Sequence, residues 1–150
     1  MPGIKKILYA TDLSPNASFA MRFALSTANH YHADIVILHV LDDMLIGHAY
    51  TLFKEHADAI KQKIKKRLES TYASALDKHL AYGKLKCSIE ICSGFPPETI
   101  LNAADDFECD MIVMGTHGKG VLGHTFLGST TKRVLGRTRK PIFVIPLPKE

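Results

Sequence analysis

Apolar residues gather in five short runs, Ile4 to Ala10, Asp34 to Leu41, Leu85 to Cys92, Asp110 to Gly115 and Ile142 to Ile145, and most of the segments between them carry helical periodicity. Leu85, Cys87, Ile89 and Ile91 alternate with Lys84, Lys86, Ser88 and Glu90, the pattern of an edge strand with one wet face and protective charges. Met111-Ile112-Val113-Met114 is apolar throughout, as a central parallel strand should be. After the first run, Ser14-Pro15 offers an N-cap and a proline at the first helical position, and Phe19, Ala20, Phe23, Ala24 and Ala28 recur at helical spacing up to about Tyr31. A long helix is predicted from about Lys54 to Tyr82, with Ala57, Ile60, Ile64, Leu68, Tyr72, Leu76 and Leu80 on one stripe and Gly83 as its stop. A third helix starts at Pro96-Pro97-Glu98 and turns Ile100, Leu101, Ala104 and Phe107 inward. The connection from Asp42 to Phe53 has no clear period and is long for such a domain, which suits a flap or a surface loop. Regular β/α alternation predicts one parallel sheet covered by helices on both faces, an α/β fold.

Composition narrows the class. With 150 residues, 46% hydrophobic and 23% charged, the chain has the size and balance of one globular domain able to bury a core. Its net charge is +4, with a pI near 9.0. The basic residues are interleaved with acids, so a nucleic-acid partner is not expected, and an anionic small ligand suits the balance equally well. The densest basic run, Lys61 to Arg67, contains Ile64 on the apolar stripe and reads as a solvated helix face. Cys87, Cys92 and Cys109 make neither an even disulfide set nor a CxxC pair, and reduced cytoplasmic thiols are expected. The opening MPGIKKILYATD enters a strand without the apolar run of a signal peptide, and no stretch reaches membrane-spanning length. A cytoplasmic protein without membrane insertion is the expectation.

Two further readings concern surfaces. Ile142 to Ile145 is apolar, yet a C-terminal strand of a doubly wound sheet commonly lies at an edge, where it invites pairing. Cover by its copy in a second subunit is expected, giving a homodimer. His30 and His32 suit a helix C-terminus, His39 reads as a packed strand residue, and Cys109 as a small apolar one. Lys132, Arg133, Arg137, Arg139 and Lys140 are expected mostly on the exposed side or at the end of the last helix.

In an open parallel sheet, ligands bind outside the carboxyl ends of the strands where neighbouring connections diverge. Two loops there have suitable chemistry. Ala10-Thr11-Asp12-Leu13-Ser14 places a carboxylate and two hydroxyls just past the first strand. Asp12 suits ribose hydroxyls or a magnesium site shared with phosphate, and equally a turn or helix cap. The second loop is Gly115-Thr116-His117-Gly118, followed by nine residues from Lys119 to Leu127 and then Gly128-Ser129-Thr130-Thr131. Its glycines let backbone amides approach an anion, Lys119 and His117 add positive charge, and Ser129 and Thr130 bring hydroxyls to a helix start. Neither standard phosphate motif fits. Val121-Leu122 stands where a Walker A loop needs lysine and a hydroxyl, and no GxGxxG follows the first strand.

These residues resemble the universal stress protein family in its ATP-binding branch, whose signature is GxxG, nine residues, then glycine and serine or threonine. Gly115, Gly118, Gly128 and Ser129 match every position, and ILYATDLSPNASFAMRFA, DIVILHV, SGFPPETIL, DMIVMGTHGKG and RKPIFVIP look like family segments in the family's order. The resemblance implies a single doubly wound domain with strand order 3-2-1-4-5 and its switch point between strands one and four. It further implies that Ala10, Thr11 and Asp12 serve adenosine, with the Asp12 carboxylate at the ribose and the Val40 backbone recognising adenine. Gly115, Thr116, His117, Gly118 and Lys119 would wrap ribose and phosphates, and Gly128, Ser129, Thr130 and Thr131 would close over the phosphates. The implied protein is a homodimeric stress-response module that holds ATP with Mg2+ and signals to a protein partner. Hydrolysis should be slow, because no base or water-positioning residue is visible beyond Asp12. The competing readings are an enzyme, as ATP hydrolase or adenylyl transferase, the latter weakened by the absence of an HxGH histidine pair, and a nucleotide-independent dimeric interaction protein.

Overall fold

The computed structural model describes residues 3–42, 54–82, 85–116 and 127–146. Its elements are β1 (Lys6–Thr11), α1 (Pro15–Tyr31), β2 (Asp34–Asp42), α2 (Lys54–Tyr82), β3 (Cys87–Gly94), α3 (Pro96–Asp106), β4 (Met111–Gly115), α4 (Ser129–Arg137) and β5 (Ile142–Ile145). The five strands form one sheet in the order β3-β2-β1-β4-β5, and all four neighbouring pairs are parallel. The fold class and strand order are those expected from the sequence.

Period-2 alternation sends each strand's side chains to two separate cores. Ile7, Tyr9, Ile35, Ile37 and Val113 pack with α1 and with Leu68 and Tyr72 of α2. Leu8, Val36, Leu38, Ile112 and Met114 pack with Ile100, Ala103 and Ala104 of α3 and Val134 of α4. On the long helix, Leu68 and Tyr72 are buried and Ile64 packs against the core, whereas Ile60 is 41% exposed. The side chains of Ala57, Leu76 and Leu80 lie outside the described residues, as does the connection 43–53.

Strand ends differ from the apolar runs for identifiable reasons. β1 begins at Lys6, not Ile4, because the Lys5 and Lys6 amides donate to Asp110 Oδ2 at 2.8 and 3.0 Å, which fixes the entry to the sheet with a side chain. β3 runs on to Gly94, because β2 also extends and Asp42 pairs with Gly94. β5 lies at an edge, with no strand on its outer side among the described residues, and Phe143 on it is 39% exposed. No helix among the described residues is long and apolar enough to cross a membrane.

Candidate functional site

β1 lies between β2 and β4. The chain leaves β1 toward α1 on one face and leaves β4 toward α4 on the other, so the connections diverge at the carboxyl ends of these strands. The two candidate loops occupy those ends. The register sets Thr11 of β1 opposite His39 of β2, so Val40 stands one step further toward the same rim. Ala10 and Val40 both pack against the α3/α4 core, whereas Thr11 faces the α2 side, where its hydroxyl lies 3.3 Å from that of Tyr72.

The turn after β1 is tightly held. Leu13 N donates to Thr11 Oγ1 at 3.2 Å and Ser14 N donates to Asp12 Oδ1 at 2.9 Å, two successive side-chain turns of the kind Thr and Asp make. Between them Leu13 has φ 65°. A non-glycine residue in this left-handed region costs about 1–3 kcal/mol, and such strain persists only where the surroundings fix it. The half-buried Asp12 carboxylate is therefore aimed by its own turn. Ser14 takes the expected N-cap place, with φ −71° and ψ 162°, but its side chain makes no cap bond. Its buried Oγ has no hydrogen-bond partner among the described residues, leaving a hydroxyl beside Asp12 at the positive end of α1.

Three residues outside the expected set join this turn. His39 Nδ1 lies 2.8 Å from the Thr11 carbonyl oxygen. A carbonyl oxygen only accepts, so Nδ1 carries the proton in this bond. Tyr72 reaches in from α2, and Tyr9 bonds both Thr11 and Tyr72, so three hydroxyls interconnect below the turn. Burial, reinforced by Tyr72, holds the Tyr9 hydroxyl well above the ordinary tyrosine range. The sequence signal for Tyr72 was available, because a tyrosine on a buried helical stripe needs a partner for its hydroxyl. His39 was legible only as a strand residue.

The second loop begins and ends in the described part. Thr116 N donates to Ile145 O at 2.9 Å, and Gly128 N donates to Thr116 O at 2.7 Å, so the two stems of the glycine-rich loop are joined to each other and to β5. Thr131 is buried, and its hydroxyl donates to Gly115 O at 2.8 Å, which commits that proton to the strand. Gly128 is the N-cap of α4 and no side chain among the described residues caps the helix, so its first-turn amides are donors that an anion can satisfy. Ser129 is exposed and Thr130 half-buried on that turn. His117, Gly118 and Lys119 lie outside the described residues. The structure thus brings Ala10, Thr11, Asp12, Val40, Gly115, Thr116, Gly128, Ser129, Thr130 and Thr131 to one end of the sheet. Among the described residues no group of three or more His, Cys, Asp or Glu is placed to hold a metal ion.

Of the basic residues around the last helix, Lys140 lies farthest from these loops. Lys140 Nζ donates to the carbonyls of Ala104 and Cys109 at 2.8 and 2.5 Å and pairs with Asp105 at 3.2 Å, capping the C-terminus of α3 at the opposite end of the sheet. Arg137 pairs with Glu98 at 3.5 Å, and the Arg133 guanidinium stands 5.2 Å from the Phe95 ring centroid.

This architecture defines a doubly wound α/β domain with its switch point between β1 and β4, where the turn after β1 and the start of α4 lie at the carboxyl end of the sheet. Residues 3–146 match the Universal stress protein family, and the chain belongs to that family. It is 30% identical over 153 residues to universal stress protein MJ0577 of Methanocaldococcus jannaschii, covering 94% of each chain. The solved structure of MJ0577 superposes with a TM-score of 0.84 at 29% identity, covering 99% of this chain and 100% of that one. The same fold is seen in a universal stress protein from Archaeoglobus fulgidus in complex with dAMP, with a TM-score of 0.62 at 21% identity over 99% of this chain and 100% of the other. A universal stress protein in complex with cAMP shares it too, with a TM-score of 0.63 at 19% identity over 97% of this chain and 98% of the other.

Proposed function

We propose that this chain is an ATP-binding universal stress protein, a homodimeric regulatory module that holds MgATP in the β1/β4 crevice and hydrolyses it slowly at most. The observation that carries this reading is the convergence of an aimed carboxylate, Asp12, and the uncapped N-terminus of α4 on one crevice. A carboxylate suits ribose hydroxyls, and helix-start amides suit phosphates. Adenine would lie by Val40, and Gly115, Thr116, His117, Gly118 and Lys119 would wrap the ribose and phosphates. Gly128, Ser129 and Thr130 would meet the phosphates directly, while Thr131 holds their helix to the strand. That two structures of this fold hold adenine nucleotides is consistent with such a crevice.

The donor set also fits Mg2+ in a particular way. Asp12 and the unpartnered Ser14 hydroxyl are oxygen donors beside the phosphate end, and a hard cation that keeps several waters needs only one or two protein oxygens when phosphates supply others. When bound, the ion would offset phosphate charge, and the chain's own part would be to orient it through Asp12. Beyond Asp12 these groups include no base poised for attack, which supports binding and signalling to a protein partner over rapid turnover.

Calorimetric titration with ATP, with and without magnesium and with AMP and GTP as comparators, tests the reading. Micromolar binding selective for ATP, lost in Gly118→Leu while the dimer persists, is expected. Absence of heat and of thermal shift with every nucleotide would move the function to the dimer surface, and Asp12-dependent phosphate release would favour an enzyme.

A further inference from the structure

Tyr9, Thr11 and Tyr72 are buried beneath the Asp12 turn, at 0%, 6% and 3% exposure as residues. Phenylalanine at positions 9 and 72 would fill nearly the same volume without burying polar atoms, so packing alone does not account for them. Their connections lead one way. Thr11 Oγ1 sits 3.3 Å from the Tyr72 hydroxyl and accepts from Leu13 N at 3.2 Å, and Leu13 is the residue held at φ 65° between Asp12 and Ser14. The Thr11 rotamer that meets Tyr72 is thus the one that holds Leu13, and the turn it holds aims the Asp12 carboxylate through Ser14 N.

We infer that Tyr72 is a positioning residue of the crevice: its hydroxyl fixes Thr11, and through Thr11 and Leu13 it holds the Asp12 carboxylate ready for ribose hydroxyls. The inference rests on the ATP reading above. It makes α2 part of the site although no residue of α2 need touch ligand. A network of buried hydroxyls gains strength from mutual polarisation and fixes one geometry, which is the property a ligand-ready turn requires.

Tyr72→Phe keeps the ring and removes the hydroxyl. In the ligand-free variant, amide exchange at Leu13 and Ser14 should rise about tenfold, with Val113 in β4 unchanged, because the opening is local. Measured without magnesium, so that Asp12 can act only at the ribose, ATP affinity should fall about tenfold, the scale of one lost hydrogen bond, whereas 2′,3′-dideoxy-ATP, which offers Asp12 no hydroxyls, should bind wild type and variant alike. Thr11→Val should reproduce both effects and Thr11→Ser should not. Equal losses for ATP and the dideoxy analogue would mark a general structural defect and overturn the proposal, as would unchanged exchange at Leu13 and Ser14. A wild-type chain that binds neither nucleotide would overturn the ATP reading and the ribose role together, and the exchange measurement would then show separately whether the tether exists.

Discussion

Thr131 Oγ1 donates to the carbonyl oxygen of Gly115 at 2.8 Å, fastening the first turn of α4 to the last residue of β4. The two residues flank the glycine-rich loop, so this bond sets where the α4 amides stand relative to the strand end. Thr131→Val keeps the shape and removes the donor. It should cost about 1–2 kcal/mol in urea unfolding and weaken ATP binding, while Thr131→Ser should retain both properties.

Gly94 ends β3 with φ 148°, and a Cβ placed there would overlap Thr99 Oγ1. That hydroxyl cannot easily retreat, because it donates to Phe95 O at 2.9 Å in the first turn of α3. Gly94→Ala is expected to destabilise the fold by about 1–3 kcal/mol, from backbone strain and overlap together. Adding Thr99→Ala should recover only part of the loss, since it removes the overlap and leaves the backbone angle. A double-mutant cycle in denaturant checks this.

How much of this was legible in the sequence depended on range. Strand order, the α1 bounds and the central place of Met111–Gly115 follow from local periodicity and the family pattern, and the structure reproduces them. The Asp12 turn was legible as chemistry, but its hold was not: Tyr72 lies 61 residues from Thr11 and reads as one more member of an apolar stripe. Leucine gives no hint of a positive φ, so the Leu13 strain was invisible as well. Lys140 shows the same limit in reverse. It was expected with its basic neighbours on the exposed side or at the end of the last helix, whereas the fold sends it to the C-terminus of α3, a contact that exists only once the sheet has formed.

The thiols predict a pH effect of definite sign. Burial pushes the Cys87 and Cys109 thiols up to about 11 from an ordinary 9.0. In the unfolded chain they ionise near the ordinary value, so between the two pH values the unfolded state has lost protons that the folded state keeps. Their stabilising contribution is then complete below about pH 9 and lost as pH rises toward about 11. Under reducing conditions the thermal midpoint should fall across that window, and a variant carrying Cys87→Ala and Cys109→Ala should fall less steeply. Parallel slopes for the two proteins would contradict the assignment.

The outer edge of β5 supplies the test of the proposed dimer. Ile112 N donates to Pro141 O and Thr116 N to Ile145 O, so residues 141, 143 and 145 direct their backbone groups toward β4. By strand alternation, the amides and carbonyls of Ile142 and Val144 point away from the sheet. Phe143 and Phe23, each about two-fifths exposed, stand with ring centroids 6.5 Å apart, and Phe19 adds a third ring 5.3 Å from Phe23, so an apolar patch accompanies the open backbone edge. Edge pairing with a second β5 would satisfy the outward groups and cover part of these rings. Proline at an outward position removes one amide without breaking a bond to β4. Val144→Pro should therefore give a folded monomer by sedimentation equilibrium, with Phe143→Lys weakening association through the patch instead. A dimer that survives both substitutions would place the interface elsewhere on the chain.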